Sequence, residues 1–324
     1  MKVVIPVAGE GTRMRPHTYT QPKVLLHVAG KPMIAHILDK LVELGLKDLV
    51  LVVGYMGDRI KEYVDSNYNF NVDYVEQTEL LGLGHAIWLT RDFVKDEPVL
   101  IILGDTLFKA DFNKILSDSM NYIGVKEVED ARRFGIVELN EGFISRLIEK
   151  PDNPPTNLAI VGIYLLQNSN KLYSCLNKLI EENIRTKDEY QLTDALQLML
   201  EDKEQMKTFL IDGWFDCGKP ETCLLTNKKI LELEAKPEKV SGSVVIDPVY
   251  ISKTAKIGNS IIGPNVSIAN GAIIENSIIK NSIICEEAKI KNMVLSDSII
   301  GNKAGIKGKA YKINIGASNQ IEKS

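Results

Sequence analysis

Residues 2–13 read Lys-Val-Val-Ile-Pro-Val-Ala-Gly-Glu-Gly-Thr-Arg, and a lysine follows at position 23. The apolar run Lys2-Val7 is short and ends in small residues, which predicts a buried strand running into a loop. In that loop Gly9 and Gly11 let backbone amides approach an anion with no side chain in the way. Arg13 and Lys23 add fixed positive charge, so the stretch reads as a phosphate-binding site.

Two familiar phosphate loops do not fit. A dinucleotide fingerprint needs a third glycine where Met14 stands, with a helix opening at once. A Walker A loop needs Gly-Lys-Ser/Thr where the chain has Met14-Arg15. Further along, Leu49-Val53, Val72-Glu76, Val99-Leu103, Ile136-Leu139 and Ala159-Leu165 also read as strands. Met33-Leu44, Asp58-Ser66, His85-Phe93, Leu172-Glu182 and Leu192-Glu201 have helical period. This alternation predicts an α/β domain with a Rossmann-like, mostly parallel sheet. Pro32 and Gly45 bracket the first helix in the usual sense.

After Pro237 the pattern changes. From Val245 to Ile306 an aliphatic residue returns every five or six positions, with Gly, Asn, Ser, Lys and Glu filling much of the space between. Ile257-Gly258-Asn259 and Ile262-Gly263-Pro264-Asn265-Val266-Ser267 are hexapeptide repeats of the kind that wind a left-handed parallel β-helix, each step forming one side of a triangular coil. The expected domains are 1–235, a linker 236–243, and a β-helix of about four turns over 244–324.

Composition adds exclusions. The 324 residues leave room for two domains, and a net charge of −4 with 25% charged residues gives no footprint for nucleic acid or an anionic membrane. No apolar stretch approaches the roughly 18 residues of a membrane span, and no signal-peptide pattern opens the chain, so a cytoplasmic protein is expected. Cys175, Cys217, Cys223 and Cys285 fit neither a disulfide framework nor a metal site and are expected to be free thiols.

The wider pattern Ala8-Gly9-x-Gly11-Thr12-Arg13-x-x-Pro16-x-Thr18, then Pro22-Lys23, then Gly30-Lys31-Pro32, closely resembles the signature of the sugar-1-phosphate nucleotidyltransferases. The nearest resemblance is to the glucose-1-phosphate thymidylyltransferases and UTP-glucose-1-phosphate uridylyltransferases. The resemblance implies nucleoside triphosphate and sugar 1-phosphate as partners, with Ala8, Gly9, Gly11 and Thr12 on the nucleotide. Asp105, just beyond the strand Val99-Leu103, is placed to meet a ligand, and a second carboxylate stands in Gly213-Trp214-Phe215-Asp216-Cys217-Gly218. By resemblance the pair holds Mg²⁺, an ion that commonly uses one or two carboxylates with phosphate oxygens and water.

The resemblance also assigns Glu149 to sugar hydroxyls, Lys150 to the sugar phosphate, and Gly135 and Val161 to the sugar pocket. Gln77 and Gly82 fall in the family's base-reading loop, and a Gln amide suits the edge of a pyrimidine. His27 stands where the family usually has Pro, and Thr106 where thymidylyltransferases often carry Asn. Arg13, Lys23 and Lys150 are the expected catalytic cations. The attacking phosphate oxygen is already anionic near neutral pH, so alignment and charge neutralisation are needed, not a general base.

Three rival readings follow. A β-helix can serve acetyl transfer, but all four histidines, His17, His27, His36 and His85, lie in the first domain. A non-catalytic regulatory subunit would commonly have lost some of the charged residues that are all present here. A mannose-1-phosphate guanylyltransferase would keep them. The repeats suit contacts in a homo-oligomer or a regulatory role.

Overall fold

The computed structural model describes residues 1–309, so the part of the 244–324 assignment beyond residue 309 lies outside the described residues. The chain divides into two compact units, Met1–Thr226 and Asn227–Ser324. Among the described residues no helix is long and apolar enough to cross a membrane.

The first unit is built on a nine-stranded sheet. Its main path runs Phe143–Glu149, Gly135–Asn140, Leu158–Leu166, Val99–Ile102, Lys2–Pro6, Asp48–Val53 and Asn71–Glu76; Asn121–Glu127 also pairs with Leu158–Leu166 and carries Met206–Leu210. Seven of the nine strands run one way; only Phe143–Glu149 and Leu158–Leu166 run against them. Val3, Val4, Ile5 and Leu49 to Val52 are fully buried, as expected of strands covered on both faces. Two apolar clusters hold the layers, one around Leu172, Leu176, Leu192 and Leu196 and one around Ile34, Leu38, Leu41 and Ile60.

Helix Met33–Glu43 closes as the sequence suggests. Gly45 has φ +69°, and the amides of Gly45 and Leu46 reach back to the carbonyls of Val42 and Leu41, a Schellman ending. The helix expected over His85-Phe93 instead splits into Leu83–Trp88 and Arg91–Val94. Fully buried Thr90 explains the break, because its hydroxyl bonds the Ile87 carbonyl at 2.7 Å and the Tyr173 hydroxyl at 2.8 Å.

His27 and His36 pack beside the hairpin His27–Val28/Lys31–Pro32, where His36 Nε2 lies 2.9 Å from the Val28 carbonyl. Burial lowers both pKa values from 6.5 to about 4, and the Lys31 charge pushes His36 in the same direction. The unfolded chain therefore takes up protons below about pH 6.5 that the folded chain refuses until about pH 4. The stability is present above pH 6.5 and lost as pH falls through that window, by at most about 3 kcal/mol per histidine. Urea midpoints should drop from pH 7 to pH 4.5, and the drop should shrink in His36→Asn; equal drops in both proteins would contradict this.

Among the described residues the second unit contains three four-stranded parallel sheets that share one coil, each strand pairing with its equivalent one turn on. A turn takes 16 or 17 residues, as in Val244 to Ile261 to Ile278 to Val294, because five-residue and six-residue sides are mixed in each turn. Val266, Ile268, Ile274, Ile279, Ile284 and Ile290 fill the interior. Corners fall on residues that tolerate left-handed backbone: Asn259, Asn276 and Asn292 have φ of 47°, 47° and 55°. Their amides form a ladder, Asn259 donating to Asn276 at 2.8 Å and Asn276 to Asn292 at 3.2 Å.

Candidate active site

The Ala8–Arg13 loop leaves the carboxyl end of strand Lys2–Pro6 and turns through a short 3₁₀ segment, Thr12–Met14. Gly11 is left-handed at φ +64°, and a Cβ there would lie 2.8 Å from Lys23 Cβ, so glycine is needed both for the backbone and for the close approach of Lys23. A Cβ on Gly9 would meet nothing within 4 Å. Packing makes no demand at Gly9, and its open side is available to a ligand. Thr18 fixes the turn from below by donating to the Gly11 carbonyl at 2.9 Å.

Lys23 is buried at 9% exposure, and its Nζ stands 2.5 Å from Asp105 Oδ2. Asp105 arrives there because Gly104 packs so tightly on the neighbouring strand end that a Cβ would fall 2.3 Å from Val7 Cγ1. Asp216 reaches the same region by a pairing that was not read from the sequence. Strand Gly213–Asp216 lies antiparallel to Thr106–Lys109, with Asp216 opposite Thr106, the residue after Asp105. Asp216 Oδ1 accepts the Gly218 amide at 2.8 Å. A Cβ built on Gly218 would be 2.9 Å from that oxygen and 3.4 Å from an Arg13 guanidinium nitrogen, which places the exposed Arg13 beside Asp216.

The residues expected around the sugar assemble on the adjoining strands. Gly135 opposes Glu149, and a Cβ on Gly135 would be 3.0 Å from Glu149 Oε2. That oxygen accepts the Thr193 hydroxyl at 2.6 Å, while Glu149 Oε1 pairs with Lys150 Nζ at 3.1 Å. Lys150 is itself left-handed at φ 41°. The pairing of Leu158–Leu166 with Asn121–Glu127 slips between Ile160 and Tyr164, and Val161 and Gly162 sit in that bulge. The Gly162 carbonyl accepts the Leu103 amide at 2.9 Å, which ties the bulge to the turn carrying Asp105. Phe134, before Gly135, packs edge-on against Trp214 at 4.9 Å and joins this group to the Asp216 strand.

Gln77 ends its strand by donating its amide to Val53, and the loop after it is held by backbone. Gly84 donates to the Tyr190 carbonyl at 2.7 Å and Tyr190 to the Leu81 carbonyl at 2.9 Å. Gly82, at φ +110°, leaves only 2.7 Å between a built Cβ and the Tyr190 carbonyl. A cleft of about 500 Å³ is lined by Ala8, Gly9, Gly11, Thr12, Arg13, Lys23, Gln77, Gly82 and Asp105, together with Leu80 and Glu189. Gly135, Glu149, Val161 and Asp216, on the strands described above, and Lys150, just past the end of one, do not line it.

A larger groove of about 850 Å³ is walled by Glu127, Glu129 and Glu138 and contains none of these residues; its negative charge opposes phosphate. Thr193, Glu189 and Tyr190, which hold Glu149 and the Gln77 loop, carried no signal in the sequence, since their partners are distant along the chain.

Among the described residues no group of three or more His, Cys, Asp or Glu could hold a metal ion. Asp105 and Asp216 instead offer hard carboxylate oxygens from two neighbouring chain segments, and Asp105 is 39% exposed on its side chain. That set fits a Mg²⁺ ion that takes its other ligands from phosphate and water.

Comparisons with known proteins give the family. The nucleotidyl transferase family model matches residues 2–233. The low-salt glycan biosynthesis nucleotidyltransferase Agl11 of Haloferax volcanii is 36% identical over 242 residues, covering 72% of this chain and 66% of Agl11, so the chain spans just under two thirds of that relative. The UTP–glucose-1-phosphate uridylyltransferase AglF of the same organism is 34% identical over 231 residues, 68% of this chain and 93% of AglF. A crystal structure of UDP-glucose pyrophosphorylase complexed with UDP-glucose superposes with a TM-score of 0.62 at 26% identity, covering 72% of this chain and 99% of that one. The chain belongs to the nucleotidyl transferase family.

Proposed function

We propose that the protein transfers a nucleotidyl group from a nucleoside triphosphate, dTTP or UTP favoured, to a sugar 1-phosphate, glucose 1-phosphate favoured, giving a nucleotide sugar and pyrophosphate. The observation that carries this reading is the convergence of Lys23, Asp105, Arg13 and the Gly9–Arg13 loop in one cleft, with Gln77 and Gly82 across it.

In this reading the sugar-phosphate oxygen attacks the α-phosphorus, forming one P–O bond as the bond to pyrophosphate breaks. No proton has to be removed from the nucleophile. What opposes the reaction is repulsion between anions and the charge growing on the leaving group. Lys150 holds the attacking phosphate and Lys23 the α-phosphoryl group. Arg13 and the Gly9–Arg13 amides hold the departing pyrophosphate. Asp105 and Asp216 would hold Mg²⁺, which supplies further neutralisation of phosphate charge.

The second unit takes no catalytic part here. Val244, Ile278 and Val294 lie in register on one of its sheets and are 55%, 43% and 74% exposed, which supports a homo-oligomer assembled through that unit. All four cysteines are buried and none is in a disulfide, which suits the reducing cytoplasm.

The reading is tested by pyrophosphate release with dTTP, UTP, CTP, GTP and ATP, each against glucose, mannose and N-acetylglucosamine 1-phosphates. Turnover should be at least tenfold faster with dTTP or UTP and glucose 1-phosphate than with the other pairs. Fastest turnover with GTP and mannose 1-phosphate would overturn the pyrimidine assignment.

A further inference from the structure

Gln77 closes strand Asn71–Glu76, and His85 lies on helix Leu83–Trp88 just beyond the loop. Gln77 Nε2 donates to the Gly82 carbonyl at 3.3 Å and lies 3.2 Å from His85 Nδ1. A carbonyl only accepts, so the Gly82 oxygen requires the NH₂ side of the Gln77 amide. An amide NH₂ only donates, so His85 Nδ1 carries the lone pair and the ring proton sits on Nε2. Both amide hydrogens are thereby spent inside the wall, and Oε1 is the group of that side chain left for a ligand.

Both partners are themselves held. Gly82 is closely hemmed, since a Cβ there would fall 2.7 Å from the Tyr190 carbonyl and 2.8 Å from Glu189 Cβ. The His85 ring stacks on Trp88 with centroids 6.0 Å apart, and the Arg91 guanidinium lies 3.9 Å from the centre of that indole. Burial lowers the pKa of His85 against the opposing pull of Glu79, so the ring is neutral near pH 7 and Nδ1 is free to accept.

We propose that His85 is a positioning residue for nucleobase selection: by accepting from Gln77 it locks the amide with Oε1 toward the cleft, making the subsite a hydrogen-bond acceptor. An acceptor there takes a ring N–H, as uracil and thymine offer at N3, and rejects cytosine, whose N3 is a lone pair. A flipped amide would suit cytosine, but it would set Oε1 against the Gly82 carbonyl and against the His85 lone pair, or force that ring into its other tautomer. Gln77 is only 6% exposed, so no solvent would relieve those two contacts. This inference rests on the reading of Gln77 as the base contact.

The test compares kcat/KM for UTP and CTP with glucose 1-phosphate in the full chain and three variants. His85→Phe keeps a ring on Trp88 but removes the acceptor, and the UTP-over-CTP preference should fall at least tenfold. His85→Asn puts an amide oxygen where Nδ1 stood, and should recover most of the preference. If His85→Phe does not fold, His85→Leu replaces it, with thermal unfolding as the check in each case. A preference kept within twofold in a folded His85→Phe or His85→Leu protein overturns the proposal. Gln77→Ala separates the two levels of the argument. If it abolishes the preference while His85→Phe does not, only the lock is wrong. If it leaves the preference intact, the base reading itself fails and the lock with it. A wild-type chain that uses CTP as well as UTP overturns the proposal before any variant is made.

Discussion

Lys23→Ala is expected to lower kcat by about a thousandfold or more while the protein still folds. Removing one preorganised donor from an oxyanion-type site typically costs about 10²–10³ in rate. Lys23 is a cationic side chain that is itself buried, so the upper end applies. Its loss also removes the ammonium that Asp105 pairs with, so one positive charge fewer faces the phosphates. Folding should survive, because Asp105 is partly exposed and water can replace its partner; a stability loss of about 1 kcal/mol is expected. Lys23→Arg keeps the Cβ–Cγ stem that packs on Gly11 but puts a larger planar guanidinium in place of a compact ammonium held 2.5 Å from Asp105 Oδ2, and should recover little. A rate within tenfold of wild type in Lys23→Ala would remove Lys23 from the mechanism.

Asp216→Asn should lower turnover about a hundredfold or more and raise the Mg²⁺ concentration needed for half-maximal rate. The isosteric change isolates charge from structure. The side-chain amide oxygen of the variant would still accept the Gly218 amide that Asp216 Oδ1 now takes at 2.8 Å, so the pairing with Thr106–Lys109 has no reason to change. What disappears is one of the two carboxylates proposed for the ion, and a hard divalent cation depends on their charge. A Mg²⁺ titration of the rate at saturating substrates reads this directly. An unaltered half-saturation point would mean that Asp216 does not serve the ion.

Much of the plan was legible in the sequence because its signals are local. The strand Lys2–Pro6 and its loop, the alternation of strands and helices, and the aliphatic steps from Val245 onward each depend on residues within a few positions of one another. The elements that complete the site are different. Thr106–Lys109 and Gly213–Asp216 are four-residue strands that exist only because they pair across a long stretch of chain, and neither carries a period of its own. The bulge at Val161 is a slip between partners, visible only once strand Asn121–Glu127 is in place. Thr193 meets Glu149, at the end of a strand, from the distant helix Leu192–Glu201, and Thr90 breaks a helix by a hydroxyl bond that a periodic pattern does not register. Single residues were legible where their chemistry was unusual for their place, as with Gly9, Arg13 and Lys23. Their supports were not, because a threonine or a backbone carbonyl looks the same in any context.

The central claim is nucleotidyl transfer to a sugar phosphate, and ³¹P NMR of the purified full chain with Mg²⁺, UTP or dTTP and glucose 1-phosphate tests it most directly. The account predicts equimolar growth of a nucleotide-sugar diphosphate and of pyrophosphate, with neither formed when the sugar phosphate is left out. Intact triphosphate in every mixture, or hydrolysis to nucleoside diphosphate and orthophosphate regardless of the sugar phosphate, would contradict it.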